Sequence, residues 1–532
     1  MRAWLGLVAA SILAATGVRA TDVSDAQMDK IFERWNTLST PGCAVGAAVA
    51  GRPVLAKAYG MADLEHDVKI TPETIFEAGS VSKQFTAAAV LLLARDGKLS
   101  IDDPVRKYIP ELPDYHVPLT IRHMLTHTSG LRDWGSVESI AGWPRTTRAY
   151  TQDHVLEIVS HQKALNFTPG THWSYSNTGF NLAAIIVSRV SGKPFSDFTR
   201  ERIFAPLDMT HTSWRDDHTR VLKNRAIAYS EARGAGAPGV DPGIDTVQHG
   251  PFHTDMPFED VYGNGGLLTT VGDLLKWNEN FTTPKVGDAA FVAGQQQIGK
   301  FTDGTPVGYA FGLMVTTAGG QHVVEHSGST AGYSAHLLRL PDEKISVAVL
   351  CNATTARATQ YAHQVADLYL SKPSNTGAMP AMPLTKDQRF LFRSVNNGEV
   401  LNNAPAGSTW TLDGARLTVT TRYGVGERFE RVQKAAIMKA ADAQELVGTY
   451  TSPEAETTLT IAFDPLKGLV ARRRPNDTFP LEPLYADAFS APRLGTVIFR
   501  RDASGRANAL SVVQDRVWDL RFARSLLADP DR

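Results

Sequence analysis

The sequence predicts a mixed α/β (α+β) fold followed by a separate all-β unit. Strand-like runs lie at 42–60 and again at 321–351, with a mostly helical pattern between them. Beyond residue 385 the pattern changes to short alternating runs set apart by turn signals. At 532 residues the chain also exceeds the ~250–300 residues one core usually serves.

At the N-terminus, Arg2 precedes an apolar stretch from Leu5 to Ala15, and Val18-Arg19-Ala20 offers a small-x-small cleavage site. Residues 1–20 therefore read as a signal peptide cut before Thr21. The stretch is too short for a bilayer core of ~30 Å, which needs about 20 apolar residues. No Cys follows the cut, and no later run is long and apolar enough to span. The expectation is a secreted or periplasmic protein with no stable membrane anchor.

The domain read over 21–372 begins with a hairpin: Cys43 to Val49, a turn at Gly51-Arg52-Pro53, and a return from Val54 to Tyr59. A helix is predicted to start at Ser80, because Ala87 to Leu93 is rich in helix formers and Gly97 suits the position past its end. Residues 100–285 read as mostly helical. Strands are predicted at 321–326, 334–340 and 344–351, closed by an amphipathic helix from Ala356 to Leu370. One antiparallel sheet built from both ends of the chain, flanked by helices and a helical subdomain, accommodates this order.

Ser371 to Thr385 carries three prolines and little apolar periodicity, so 373–385 reads as a linker. In 386–532, Trp410-Thr411-Leu412, Asp413-Gly414 and Leu417-Thr418-Val419 form a hairpin signal. Alternating runs at Thr457–Phe463, Thr496–Arg500, Ala509–Val513 and Val517–Phe522 extend the pattern to a small antiparallel, lipocalin-like barrel. Leu391-Phe392-Arg393-Ser394 is faintly echoed by Thr449-Tyr450-Thr451-Ser452, as two β units would give.

Composition is ordinary, with 43% hydrophobic and 20% charged residues and a formal charge of −1. Nothing there recommends nucleic acid or an anionic membrane as partner. Two cysteines, Cys43 and Cys351, are too few for a disulfide scaffold or a zinc ribbon. His123 and His127 stand four apart with no third ligand at a metal-site spacing, so a structural role is expected and no metal or other cofactor is called for.

Three short motifs carry chemistry. Ser80-Val81-Ser82-Lys83 places serine and lysine three apart on one helical face, with Cβ atoms about 5–6 Å apart. An amine there can hold and deprotonate the hydroxyl, which an unaided serine needs before attacking an amide. Ser160-His161-Gln162-Lys163 has the same spacing but lies at the end of a helical run, so it reads as surface. Tyr175-Ser176-Asn177 sits in a polar loop before an apolar helix. A phenol near pKa 10 is a poor base alone, and a neighbouring ammonium favours its phenolate. Tyr262-Gly263-Asn264 repeats the pattern in a glycine-rich setting that suits a turn. His326-Ser327-Gly328-Ser329 ends a strand-like run, where backbone N–H groups can stabilise an oxyanion. There is neither H-E-x-x-H nor G-x-S-x-G, against a zincin or an α/β-hydrolase.

In this order the three motifs resemble the serine β-lactamase and penicillin-binding protein superfamily, and the tyrosine resembles its class C branch. Phe76 to Leu112, Leu125 to Leu131, Gly263 to Trp277 and His326 to Asn352 share the likeness. The resemblance implies a β-lactamase-like fold with Ser80 as acylated nucleophile, Lys83 as its activator and Tyr175 as general base and acid. Asn177 would contact substrate, and the backbone at Ser80 and Ser329, beside Gly328, would form the oxyanion hole. His326 stands where the family carries lysine, which looks more like hydrolases of D-amino-acid peptides than dedicated β-lactamases. The appended β unit resembles D-aminopeptidase-like members. The implied partner is a small peptide, β-lactam or ester substrate, with a non-catalytic penicillin-binding sensor as the non-enzymatic alternative. In the family's sheet the strands of Cys43 and Cys351 are neighbours, so either a bridge or two buried thiols is expected. If His326 acts as an imidazolium, it would hold a substrate carboxylate; if it stays neutral, it would only hydrogen-bond Tyr175 or the substrate.

Overall fold

The computed structural model describes residues 23–525 apart from 145–147, 232–250, 319, 372–389, 402–407, 422–423 and 437. The expected signal peptide and linker lie outside the described residues.

The sheet expected from both chain ends is present, with six antiparallel strands. They are β1 (Cys43–Val49), β2 (Arg52–Tyr59), β3 (Met314–Ala318), β4 (Gln321–Thr330), β5 (Tyr333–Leu340) and β6 (Ile345–Cys351), in the order β3-β4-β5-β6-β1-β2. Its first strand is thus an inner one, paired with β6 and β2. β1 is apolar throughout because both of its faces are covered. Cys43, Val45 and Ala47 pack with Met28, Phe32 and Val365, whereas Ala44 and Ala48 join the opposite cluster with Phe85 and Val271. On that second face Gly46 makes room for Leu275, since a Cβ there would lie 3.1 Å from its side chain. Period-two alternation between two buried faces gives a strand with no polar residue.

Cys43 and Cys351 face each other in the β1–β6 register and are joined by a disulfide, with Cα atoms 4.0 Å apart. Of the two expectations, the bridge is the one present.

Four helices frame the site. α1 (Lys83–Arg95) and α2 (Thr178–Ser191) pack together, α3 (Val271–Glu279) covers β1 and β6, and α4 (Ala358–Asp367) lies on the far face over β5 and β6. α1 begins at Lys83 rather than at Ser80: a 3-10 turn over Gly79–Ser82 precedes it, so the serine sits on the tighter turn that leads in. α4 is pinned to the sheet by a buried cluster. Glu325 Oε2 lies 3.1 Å from His336 Nε2 and 2.8 Å from His363 Nε2.

The C-terminal region forms two sheets. Four strands between Phe390 and Gln433 make one, and nine antiparallel strands between Gly448 and Arg524 make a nearly closed barrel-like sheet. The predicted hairpin is there, Thr409–Asp413 on Arg416–Thr420. The echoing segments fall one in each sheet.

The barrel docks on the catalytic unit through buried polar groups. Arg132 Nη1 donates to Glu454 Oε2 (2.6 Å), and the same carboxylate accepts from the backbone N–H of Lys163 (2.6 Å). Asn166 brackets the turn between the last two strands: it donates to Arg516 O (3.0 Å) and accepts from the Trp518 N–H (2.9 Å). Phe167 and Trp518 pack ring to ring at 4.8 Å. These contacts fix where that turn lies relative to the site.

Candidate active site

Ser80 enters the site because the far part of β4 passes close against its turn. Gly79 has φ +49°, and a Cβ there would lie 2.6 Å from Ser329 N. At Gly328 a Cβ would lie 2.0 Å from Ala78 O, so the end of β4 and the serine turn can be adjacent only with glycine at both positions. The backbone at Ser329 is thereby set beside the Ser80 turn.

Lys83 Nζ sits 3.0 Å from Ser80 Oγ, 2.8 Å from Asn177 Oδ1 and 2.7 Å from the carbonyl of Asn264. Its side chain is fully buried. Burial first, and the positive charge of Arg516 second, push its pKa well below the ordinary lysine value, while Asp133 opposes them. A lysine so placed can be unprotonated and accept a proton from the serine.

Tyr175 is held among rings and cations. Its ring centroid lies 4.3 Å from that of His127, 4.8 Å from Lys83 Nζ and 4.9 Å from Arg516 Cζ. Asn177 is fixed from its other end, its N–H donating to Asp133 Oδ2 at 2.7 Å. The SxxK and Y-x-N motifs therefore meet at one amine.

His326 is buried in the middle of β4, which runs on four residues past the expected end at 326. Its Nδ1 lies 2.6 Å from Ser327 O and its Nε2 lies 2.9 Å from Tyr309 Oη. The Nδ1–H reaches the carbonyl, and Nε2 shares a hydrogen bond with the phenol. Burial, with Lys83 nearby, lowers its pKa to about 3. Burial thus disfavours the imidazolium and favours the neutral, hydrogen-bonding alternative.

A cleft of about 1240 Å³ opens over Ser80, Tyr175, Asn177, His326, Gly328 and Ser329. Its walls include Trp134 and Ser136 on one side and Arg357 and Thr359 before and within α4. Gln514, Asp515 and Arg516 of the barrel also line it.

Three participants escaped the sequence reading. Asn264 belongs to the Tyr262-Gly263-Asn264 segment read as a turn, yet its carbonyl accepts from Lys83 and its side-chain Oδ1 from Asn181. His127, read as structural, supports the Tyr175 ring and takes the Ser176 N–H on Nδ1 (3.2 Å). Arg516 had no motif around it. His123 stays structural, as the N3 partner in the capping box of the Ile121–Leu125 helix. Ser160 ends its helix with Oγ on the Glu157 carbonyl, away from the cleft residues.

The model of the Beta-lactamase family matches residues 28–370. A D-aminopeptidase of Brucella canis is 25% identical over 514 residues, covering 89% of this chain and 93% of the relative. Among solved structures, the octameric penicillin-binding protein homologue from Pyrococcus abyssi superposes with a TM-score of 0.55 at 22% identity, covering 94% of this chain and 98% of that one. A D-stereospecific amidohydrolase from Streptomyces sp. superposes at 0.52 and 22% identity, covering 67% of this chain and all of that one.

Proposed function

Because the chain belongs to the Beta-lactamase family, we propose that it hydrolyses amide bonds of substrates built from D-amino acids through an acyl-enzyme on Ser80. It is a serine hydrolase of the peptidase or amidase type. One observation carries the mechanism: the Lys83 amine, depressed in pKa by burial, lies 3.0 Å from Ser80 Oγ.

In this reading Ser80 Oγ attacks the carbonyl carbon, and its proton passes to the Lys83–Tyr175 pair. The carbonyl oxygen becomes an oxyanion held by the backbone N–H groups of Ser80 and Ser329. The C–N bond then breaks as the pair returns the proton to the departing nitrogen. Water attacks the ester on Ser80, loses its proton to the same pair, and releases the acid and free serine. Asn177 orients Lys83 and offers its side chain to the substrate, and neutral His326 contributes hydrogen bonding.

The D-amino-acid preference is supported by the D-aminopeptidase of Brucella canis and the D-stereospecific amidohydrolase of Streptomyces sp.. Paired D- and L-alanine p-nitroanilides decide it: the D-form turns over faster by at least about tenfold, and equal rates would overturn the preference. A fluorescent penicillin labelling Ser80 tests the acyl-enzyme separately. Rapid nitrocefin turnover would favour a β-lactamase instead, and ester turnover alone an esterase. Labelling without turnover of any substrate would mark a sensor.

Export to the periplasm or beyond, with cleavage after Ala20, is part of the proposal. The N-terminal pattern supports it, as does a disulfide that forms in an oxidising compartment. N-terminal sequencing of the exported protein should begin at Thr21.

A further inference from the structure

Arg516 lies on the turn between the last two barrel strands, Ala507–Gln514 and Val517–Arg524. Its backbone carbonyl is what docks, accepting from Asn166 Nδ2 and, at 3.3 Å, from the Asp133 N–H. The side chain is therefore left over from docking. It lies over the Tyr175 ring and borders the cleft, and its side chain retains 36% of its exposure. Among the described residues its guanidinium makes no hydrogen bond. Its one carboxylate neighbour, Asp515, is 3.9 Å from Nε and 90% exposed, a contact of little strength in water. A planar fork of donors with no bonded partner, lying over a ring at the mouth of the cleft, is suited to a carboxylate.

Other charges in the cleft do not compete for that role. Lys83 is buried and fully bonded. His326 is neutral. Asp133 is occupied by the Ser136 and Asn177 N–H groups, and Glu259 lies 3.5 Å from Arg215. Arg357 is exposed and lies 3.5 Å from Gln360 Oε1, which leaves it as the comparison to make.

We propose that Arg516 is a specificity-determining residue that binds a free carboxylate on the leaving group, so that the barrel selects which amides Ser80 cleaves. The side is set by the Lys83–Tyr175 pair, which in the function proposed above returns the proton to the departing nitrogen, and the inference rests on that reading. An anion held over the Tyr175 ring lies near that nitrogen. The α-carboxylate of a one-residue leaving group is two bonds away from it. The favoured substrate is thus a D-residue joined by an amide to a single terminal amino acid.

The test uses the full-length enzyme and two substrates, D-Ala-D-Ala and its C-terminal amide. Wild type should prefer the free acid by at least about tenfold in kcat/KM. Arg516→Gln should bring the ratio close to one, mainly through KM for the acid, and Arg516→Lys should keep part of it. Because docking uses the backbone carbonyl, these variants should stay folded, checked by an unchanged barrel–catalytic unit melting transition. A wild type that does not discriminate, a loss shared equally by both substrates, or a ratio that depends on Arg357→Gln instead would overturn the proposal. If neither peptide is cleaved, the D-peptide reading fails, and 3-carboxyphenyl acetate against its methyl ester then tests Arg516 alone. Equal wild-type rates for those two esters would overturn it as well.

Discussion

Lys83 Nζ lies 3.0 Å from Ser80 Oγ, and the carbonyl oxygens of the Asn177 side chain and the Asn264 backbone accept its other two hydrogen bonds. The two partners other than serine bear no charge, so nothing within bonding distance stabilises an ammonium by ion pairing.

Ser80→Ala should abolish labelling by a fluorescent penicillin and lower turnover on the order of 10⁴-fold or more, as loss of a nucleophile does. Ser160→Ala, which has the same S-x-x-K spacing, should stay within about twofold. Rates and labelling of the two purified variants check this, and equal behaviour would misplace the nucleophile.

The buried histidine of β4 makes a prediction about acid stability. His326 titrates near 6.5 in the unfolded chain and at about 3 when folded. Between those values the unfolded state binds the extra proton. Stability present above pH 6.5 is therefore lost as pH falls toward 3, by at most ~1.4 kcal/mol per pH unit from this group. His127 is also depressed by burial and acts in the same direction. In His326→Gln, denaturant midpoints measured from pH 7.5 to 5 should fall more gently than in wild type. A slope identical to wild type would mean that the ring is charged in the folded state.

The motif residues were legible because each set is continuous in sequence: Ser80 with Lys83, Tyr175 with Asn177, His326 with Ser329. A short segment is enough to carry such chemistry. Asn264 was passed over because a backbone carbonyl has no side-chain signature. Arg516 was invisible for another reason: in Gln514-Asp515-Arg516-Val517 it is an ordinary polar turn residue, and only the docking of the barrel through Asn166 brings it to Tyr175. The sheet was legible from its apolar strands, whereas the start of α1 was misplaced by one 3-10 turn, whose residues share helical composition.

Glu454 tests the docking directly. Glu454→Ala strands Arg132, whose side chain is 2% exposed, without its carboxylate. Breaking a buried pair costs about 3–5 kcal/mol. Expected outcomes are faster cleavage between the two units in limited proteolysis and a loss of the preference for a free-acid leaving group as Arg516 leaves Tyr175. Unchanged proteolysis would show that the remaining contacts suffice.

The Cys43–Cys351 bridge spans 308 residues. Its removal in the Cys43→Ala, Cys351→Ala double variant should cost about 2–4 kcal/mol, read as a lower melting temperature for the catalytic unit. Thiol titration of the denatured, unreduced protein should find none free.

The place of β1 in the sheet also orders events in time. Its partner β6 is made some three hundred residues later, and β2 alone leaves one edge of β1 without hydrogen bonds. Until that late strand arrives, an apolar segment stays unpaired, and contacts of such long range form slowly. A nascent chain of this protein therefore holds Cys43 without its bridge partner, and its first strand without one neighbour, until most of its length has been synthesised.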